Sequence, residues 1–139
     1  MIPRKTQRAS GHIEVKTYVP SPFDEIKDGP ALVEIQVTET FSGDIQGEGT
    51  VRFIQAASGD GSASFVGIER VRGSLAGRQG SFLLQDSGTL VGKEVNGTWF
   101  VVPRSGTGQL TGLRGDGGFK ARLGQNATIW LDYYFEATP

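Results

Sequence analysis

The chain has 139 residues, with fifteen acidic and fourteen basic side chains, one histidine and no cysteine. That length fits a single domain able to bury a core of its own. The missing cysteines exclude a disulfide framework, a thiolate metal site and a cysteine nucleophile, and the near-balanced charge offers no field for a phosphate backbone, so nucleic acid is not an expected partner. The basic start, MIPRKTQRASGHIEV, is followed by no apolar run of signal-peptide length, and nothing approaches a membrane span. The expectation is a cytoplasmic protein with one domain over residues 1–139, of which 1–9 form a flexible terminus.

In chain order the sequence is a series of β candidates. Ser10 to Val19 alternates Ile13, Val15 and Thr17 against His12, Glu14 and Lys16, the period-2 pattern of a half-buried strand. Pro20, Pro22, Gly29 and Pro30 then bracket FDEIKD, read as a surface loop that closes over one end of the fold. Ala31 to Phe41 places Val33, Ile35, Val37, Glu39 and Phe41 on one face, and Ile45 to Ala57 follows with Gly47 and Gly49 two apart, a sign of strong bending or close backbone approach. Ser58-Gly59-Asp60-Gly61-Ser62 has the chemistry of a tight hairpin turn and lacks the distant glutamate of a calcium loop. Ala63 to Leu75 lines up Phe65, Gly67, Glu69, Val71, Gly73 and Leu75. Ser81 to Val91 and Val95 to Pro103 follow, and a corner rich in glycine then leads to Gly118 to Leu123 and Ala127 to Phe135.

Eight short strands with small connections, no amphipathic helix to cover a sheet, and glycines inside strands at 47, 49, 67, 73 and 88 predict an all-β fold, an eight-stranded antiparallel closed β-barrel. Closure removes the exposed edges an open sheet would carry. A β-sandwich is the alternative.

Three stretches, FSGDIQGEGTV, DGSASFVGIERVRGSLAGRQGSFLLQDSGT and TWFVVPRSGTGQLTGLRGDGGF, resemble a bacterial family of small proteins of unknown function grouped with the allene oxide cyclase-like barrels. The elements that carry the resemblance are Gly106, Thr107, Gly108, Leu110, Gly112, Leu113, Gly115 and Gly117 together with Gly77, Arg78, Gly80, Ser81 and Phe82. It implies an eight-stranded antiparallel barrel that self-associates, a homodimer being the expected form. It also implies relatives, plant cyclases and dirigent proteins, that shape reactive hydrophobic intermediates in a barrel cavity. No catalytic residue of the cyclases matches this chain by motif.

The question left to residue chemistry is which polar groups face the barrel interior. Glu69 shares its face with Phe65, Val71 and Leu75; buried there it would have a raised pKa and suit a general acid or base. The competing reading pairs it with Arg70, Arg72 or another arginine. Glu39 stands among Val33, Ile35, Val37 and Phe41 with the same ambiguity, and with the added expectation of solvation near a strand end. Gln85, Trp99 and Tyr133 complete the candidate ligand-binding set as an amide, an apolar wall and a phenol, although aromatic residues fill cores whether or not a ligand exists. His12, the only histidine, reads as a surface residue, and no Gly-x-Ser-x-Gly elbow is present, so a hydrolase is not expected. The glycines of SGTGQLTGLRG match neither dinucleotide nor Walker spacing. Arg114-Gly115-Asp116 is a chance tripeptide, and the acceptors at Asn96 and Asn126 matter only in a secreted chain. The sequence thus predicts a barrel that binds a small hydrophobic ligand, without metal or cofactor and with a cyclase or isomerase activity in view. The alternative is a non-catalytic module with a filled interior that associates with itself.

Overall fold

The computed structural model describes residues 5–137. Eight strands run in sequence order around a closed barrel: β1 (Gln7–Asp24), β2 (Ala31–Gly43), β3 (Ile45–Ala57), β4 (Ala63–Leu75), β5 (Arg78–Val91), β6 (Glu94–Val101), β7 (Leu113–Arg122) and β8 (Ala127–Phe135). Every neighbouring pair is antiparallel, and β1 closes the ring against β8. Each strand therefore turns alternate side chains inward, and the inward set is the apolar set that the period-2 pattern marks. The barrel, and not the sandwich, is the fold.

Among the differences between expected and observed strand ends, three bear on how the barrel closes. Residues Gln7, Arg8 and Ala9, expected to fray, pair with Tyr133, Asp132 and Leu131, and Ala9 is 1% exposed; residues 1–4 of that expected terminus lie outside the described residues. β1 runs on through Pro20 and Pro22 to Asp24, paired with β2, so the expected loop shrinks to the link between Asp24 and Ala31. Proline is tolerated there because β1 pairs with β8 only up to Ile13, leaving its later half as an edge with one neighbour. Finally, β7 starts at Leu113 and not at Gly118: Gly115 and Gly117 belong to the strand, opposite Tyr133 and Leu131, where a side chain would strike the β8 backbone.

The two ends of the barrel are built differently. At the end that holds the β4–β5 turn and the β6–β7 corner, Ile45, Leu75, Phe82, Leu84, Leu110, Leu113 and Leu131 are all at most 1% exposed. The corner folds over this end as a short 3-10 turn, Gly108–Leu110, that drives Leu110 into the core. Thr107 and Ser105 bind it down, accepting hydrogen bonds at their hydroxyls from the Ser81 and Leu83 amides. The corner glycines thus serve a plug. Gly47 and Gly73 face each other across β3 and β4 with φ of 144° and 156°, a left-handed backbone that lets the two strands approach and coil.

The other end is ringed by the turns at Ser58–Ser62, Gly92–Lys93 and Leu123–Asn126. In the first of these Asp60 Oδ1 accepts hydrogen bonds from the Ser62 amide and hydroxyl, which is turn chemistry. Among the described residues, no group of three or more histidine, cysteine or carboxylate side chains is arranged to hold a metal ion. Nor, among those residues, is any helix long and apolar enough to cross a membrane.

Candidate functional site

The interior is filled up to a layer of rings and hollow beyond it. Trp99 on β6 packs against Phe119 on β7 at 5.1 Å between centroids and against Phe41 on β2 at 6.4 Å; Phe65 on β4 continues the layer, 6.2 Å from Phe119 and 5.2 Å from Phe53. The Trp99 indole N–H donates to the Trp130 carbonyl at 3.1 Å, which fixes the ring and satisfies its one polar atom. Above the rings lies a cavity of about 440 Å³ with walls from Ile35, Val37, Phe53, Phe65, Trp99 and Phe119. It opens between the free half of β1 and the β7–β8 turn, where Tyr18, Arg122, Leu123 and Asn126 form the rim. A register shift between Val15 and Thr17 is what turns Tyr18 to that rim.

Three carboxyl groups enter this wall. Glu39, Glu69 and Asp86, on β2, β4 and β5, are 7%, 1% and 2% exposed and all border the cavity. Glu39 and Glu69 share a hydrogen bond, whereas Glu69 Oε2 and Asp86 Oδ1 have no hydrogen-bond partner among the described residues. Burial pushes all three pKa values up. Glu69 is raised well above the carboxylate range by burial, then by its bond to Glu39 and the charges of Glu39 and Asp86. Asp86 is raised to about 8 by burial and by the charge of Glu39. For Glu39, the hydrogen bond from Glu69 offsets part of the burial effect. Glu69 and Asp86 are thus held in the neutral form to unusually high pH and can give a proton to whatever fills the hollow, while Glu39, whose shift the bond from Glu69 partly offsets, can take one as a carboxylate.

Gly49 explains how Glu69 fits. It lies opposite Glu39 on one side and Val71 on the other, and a methyl group there would collide with Glu69 Oε2 and come within 2.8 Å of Phe41 Cε1. The glycine that reads in the sequence as a bend is the vacancy that holds a carboxyl group.

Of the five predicted site residues, the structure brings three together: Glu39, Glu69 and Trp99. The arginine partner for Glu69 is not there. Arg70 and Arg72 are exposed because neighbours on a strand point to opposite faces, and the groups beside Glu69 are acids. Glu39 is not solvated as expected, since β2 continues to Gly43 and keeps it inside the wall. Gln85 lies on the outer face and Asp86 takes the inward position; Leu83 and Leu84 blur the phase of β5 in the sequence, but Phe82 and Leu84, at 1% and 0% exposure, set it. That phase was the signal by which Asp86 could have been found. Tyr133 points inward at the plugged end, where its hydroxyl donates to Gln7 Oε1 at 2.9 Å, far from the acids. His12 is exposed.

A wider hollow of about 670 Å³ lies on the outer face around Gln85, Thr98, Phe100 and Trp130. Apart from Asp86, which borders the interior as well, its ionisable groups are Asp116, exposed, and Asp132, held by Arg8 at 2.8 Å with its pKa lowered. The unpaired buried acids sit inside, and the interior is therefore the site.

Fold and site together define a small antiparallel β-barrel, plugged at one end, with an acid-lined apolar cavity at the other. The chain belongs to the family described as protein of unknown function (DUF3224), whose model matches residues 9–133. The crystal structure of a protein of unknown function from the same family, from Shewanella oneidensis MR-1, is 30% identical, covers 96% of this chain and 100% of its own, and superposes with a TM-score of 0.77. No curated protein matches the chain.

Proposed function

We propose that the barrel is a container for one small, largely apolar molecule, bound in the cavity between the aromatic layer and the β7–β8 turn. The observation that carries this reading is the hollow itself: about 440 Å³ left open among aromatic rings and unpaired buried acids, whereas the hollow of similar size at the other end, around Gln7, Leu75, Arg78 and Tyr133, borders no buried acid. A filled interior, as a purely structural module would have, is not what these side chains make. The exposed Ile54, Val66, Ile68 and Phe100 on the outer face leave self-association as a separate property of the outer wall.

A cyclase or isomerase activity is a second reading, favoured by the neutral acids in an apolar wall. In this reading Glu69, hydrogen-bonded to Glu39, protonates the bound molecule and Glu39 takes part in the return of the proton.

The test of binding is a neutral apolar dye, N-phenylnaphthylamine, added to the purified protein, with Trp99 at the cavity floor as the internal reporter. Saturable quenching of tryptophan fluorescence, lost when Ala121→Trp fills the mouth, is the expected result. No saturable quenching, together with native mass spectra free of any retained small molecule, would overturn the container reading.

A further inference from the structure

The acids have no cation among the described residues. Among the residues that border the cavity the only basic one is Arg122, and it stands at the rim, 2.9 Å from Glu94 in an exposed pair. Inside, Glu39 comes from β2, Glu69 from β4 and Asp86 from β5, among Phe53, Phe65, Trp99 and Phe119; the other polar side chains of the wall are Gln55 on β3, which carries no charge, and Tyr18 on β1, whose phenol pKa burial raises. Glu69 Oε2 and Asp86 Oδ1 are buried, without a donor, at a cavity wall. A buried acceptor left unpaired weakens the fold, so two in one wall mark a place where a donor belongs. A metal ion is not that donor, because the geometry among the described residues provides no ligand set for one.

We propose that the ligand is an organic cation: an alkyl- or arylalkylammonium whose N–H groups donate to Glu69 and Asp86 while its apolar body fills the space against Phe53, Phe65, Trp99 and Phe119. The chemistry matches on both counts. An ammonium has three donors and no acceptor, the complement of adjacent carboxylates. Aromatic faces attract the same charge that the carboxylates bind. This inference rests on the container reading and names the class of molecule contained. It also requires a proton to leave: binding one ammonium in place of a neutral acid pair ionises a carboxyl group, so affinity rises with pH while the amine stays charged, up to about pH 10.

The experiment compares matched pairs that differ only in the head group: hexylamine with hexanol, phenethylamine with phenethyl alcohol, and tryptamine with tryptophol. Isothermal titration calorimetry at several pH values is the readout. The expected result is that at least one amine binds about tenfold or more tighter than its alcohol, with an affinity that climbs between about pH 6 and about pH 9 and a proton release that varies with buffer ionisation heat. In Glu69→Gln and in Asp86→Asn the preference for the amine falls to near unity while alcohol binding persists. The two variants are independent, and thermal unfolding of each verifies its fold. If alcohols bind as well as amines, the cation inference is overturned and the container reading stands. If the amine preference survives both substitutions, the assignment of the acids is overturned. If no member of any pair binds, both readings fall.

Discussion

The two halves of the barrel share one ring of strands and differ in what fills it. In the plugged half, Leu84, Leu110, Leu113 and Leu131 are buried to 1% exposure or less, and the hollow of about 440 Å³ at that end, around Gln7, Leu75, Arg78 and Tyr133, borders no buried acid. In the mouth half, the same β4 and β5 that supply Val71, Phe82 and Leu84 to the plug supply Glu69 and Asp86 to a hollow. The difference teaches where stability and function are divided. Close packing holds the ring closed at one end, and the other end keeps groups whose burial weakens the empty fold, an arrangement common where a site must be ready for a partner.

The sharpest way to break this contrast is to excavate the plug. Leu110→Ala and Leu84→Ala are expected to destabilise by about 2–5 kcal/mol each, the usual range for a fully buried leucine, read as a fall in the urea midpoint. Ile35→Ala, which only widens a hollow already open, should cost less than either leucine, at the low end of that range or about 2 kcal/mol. Equal losses in the two halves would show that the mouth is as closely packed as the plug.

The second test uses pH. A carboxyl group whose pKa is raised on folding contributes most to stability below its unfolded value, near 4, and that contribution is lost as pH rises through the folded value. Asp86 rises to about 8 and Glu69 moves in the same direction, so the folded barrel should be most stable near about pH 4–5. It should weaken by several kcal/mol toward about pH 9, since each pH unit between a group's unfolded and folded values costs about 1.4 kcal/mol. Asp86→Asn and Glu69→Gln should each flatten this slope and raise the melting temperature at the alkaline end. A melting temperature that does not depend on pH, or that rises toward pH 9, would remove the strained mouth from the comparison.

The smallest expected effect comes from the border between the halves. Gly49→Ala forces the Glu69 carboxyl group or the Phe41 ring to move, and should cost about 1–3 kcal/mol as an overpacked site. The same change should shift the carboxylic acid carbonyl band in the infrared titration, because Glu69 leaves its bond to Glu39. An unchanged band would mean that the vacancy at Gly49 serves only the bend.

The sequence showed much of this site. Glu39 and Glu69 stand out as acids on apolar faces, and Trp99 as a ring on the same face of its strand. What it hid follows from ambiguity of phase and of position along the strand. Two adjacent leucines on β5 made Gln85 and Asp86 interchangeable until Phe82 and Leu84 were seen inside. Tyr133 has the right face and the wrong end, because a period of two says which side of a strand a residue takes and nothing about its height in the barrel. Gly49 read as a bend because the side chain that needs its space comes from another strand.

Taken alone, the order of residues determined eight strands in an antiparallel meander and favoured their closure into a barrel, because alternation is a local property set by the pleat and by side-chain hydropathy. Tertiary structure alone decided that three acids from β2, β4 and β5 meet, that no arginine among the described residues reaches them, and that one end carries the leucine plug while the other carries the acid-lined hollow. Those outcomes depend on register and stagger between strands far apart in the chain, where the distances that define a site are set by the whole ring.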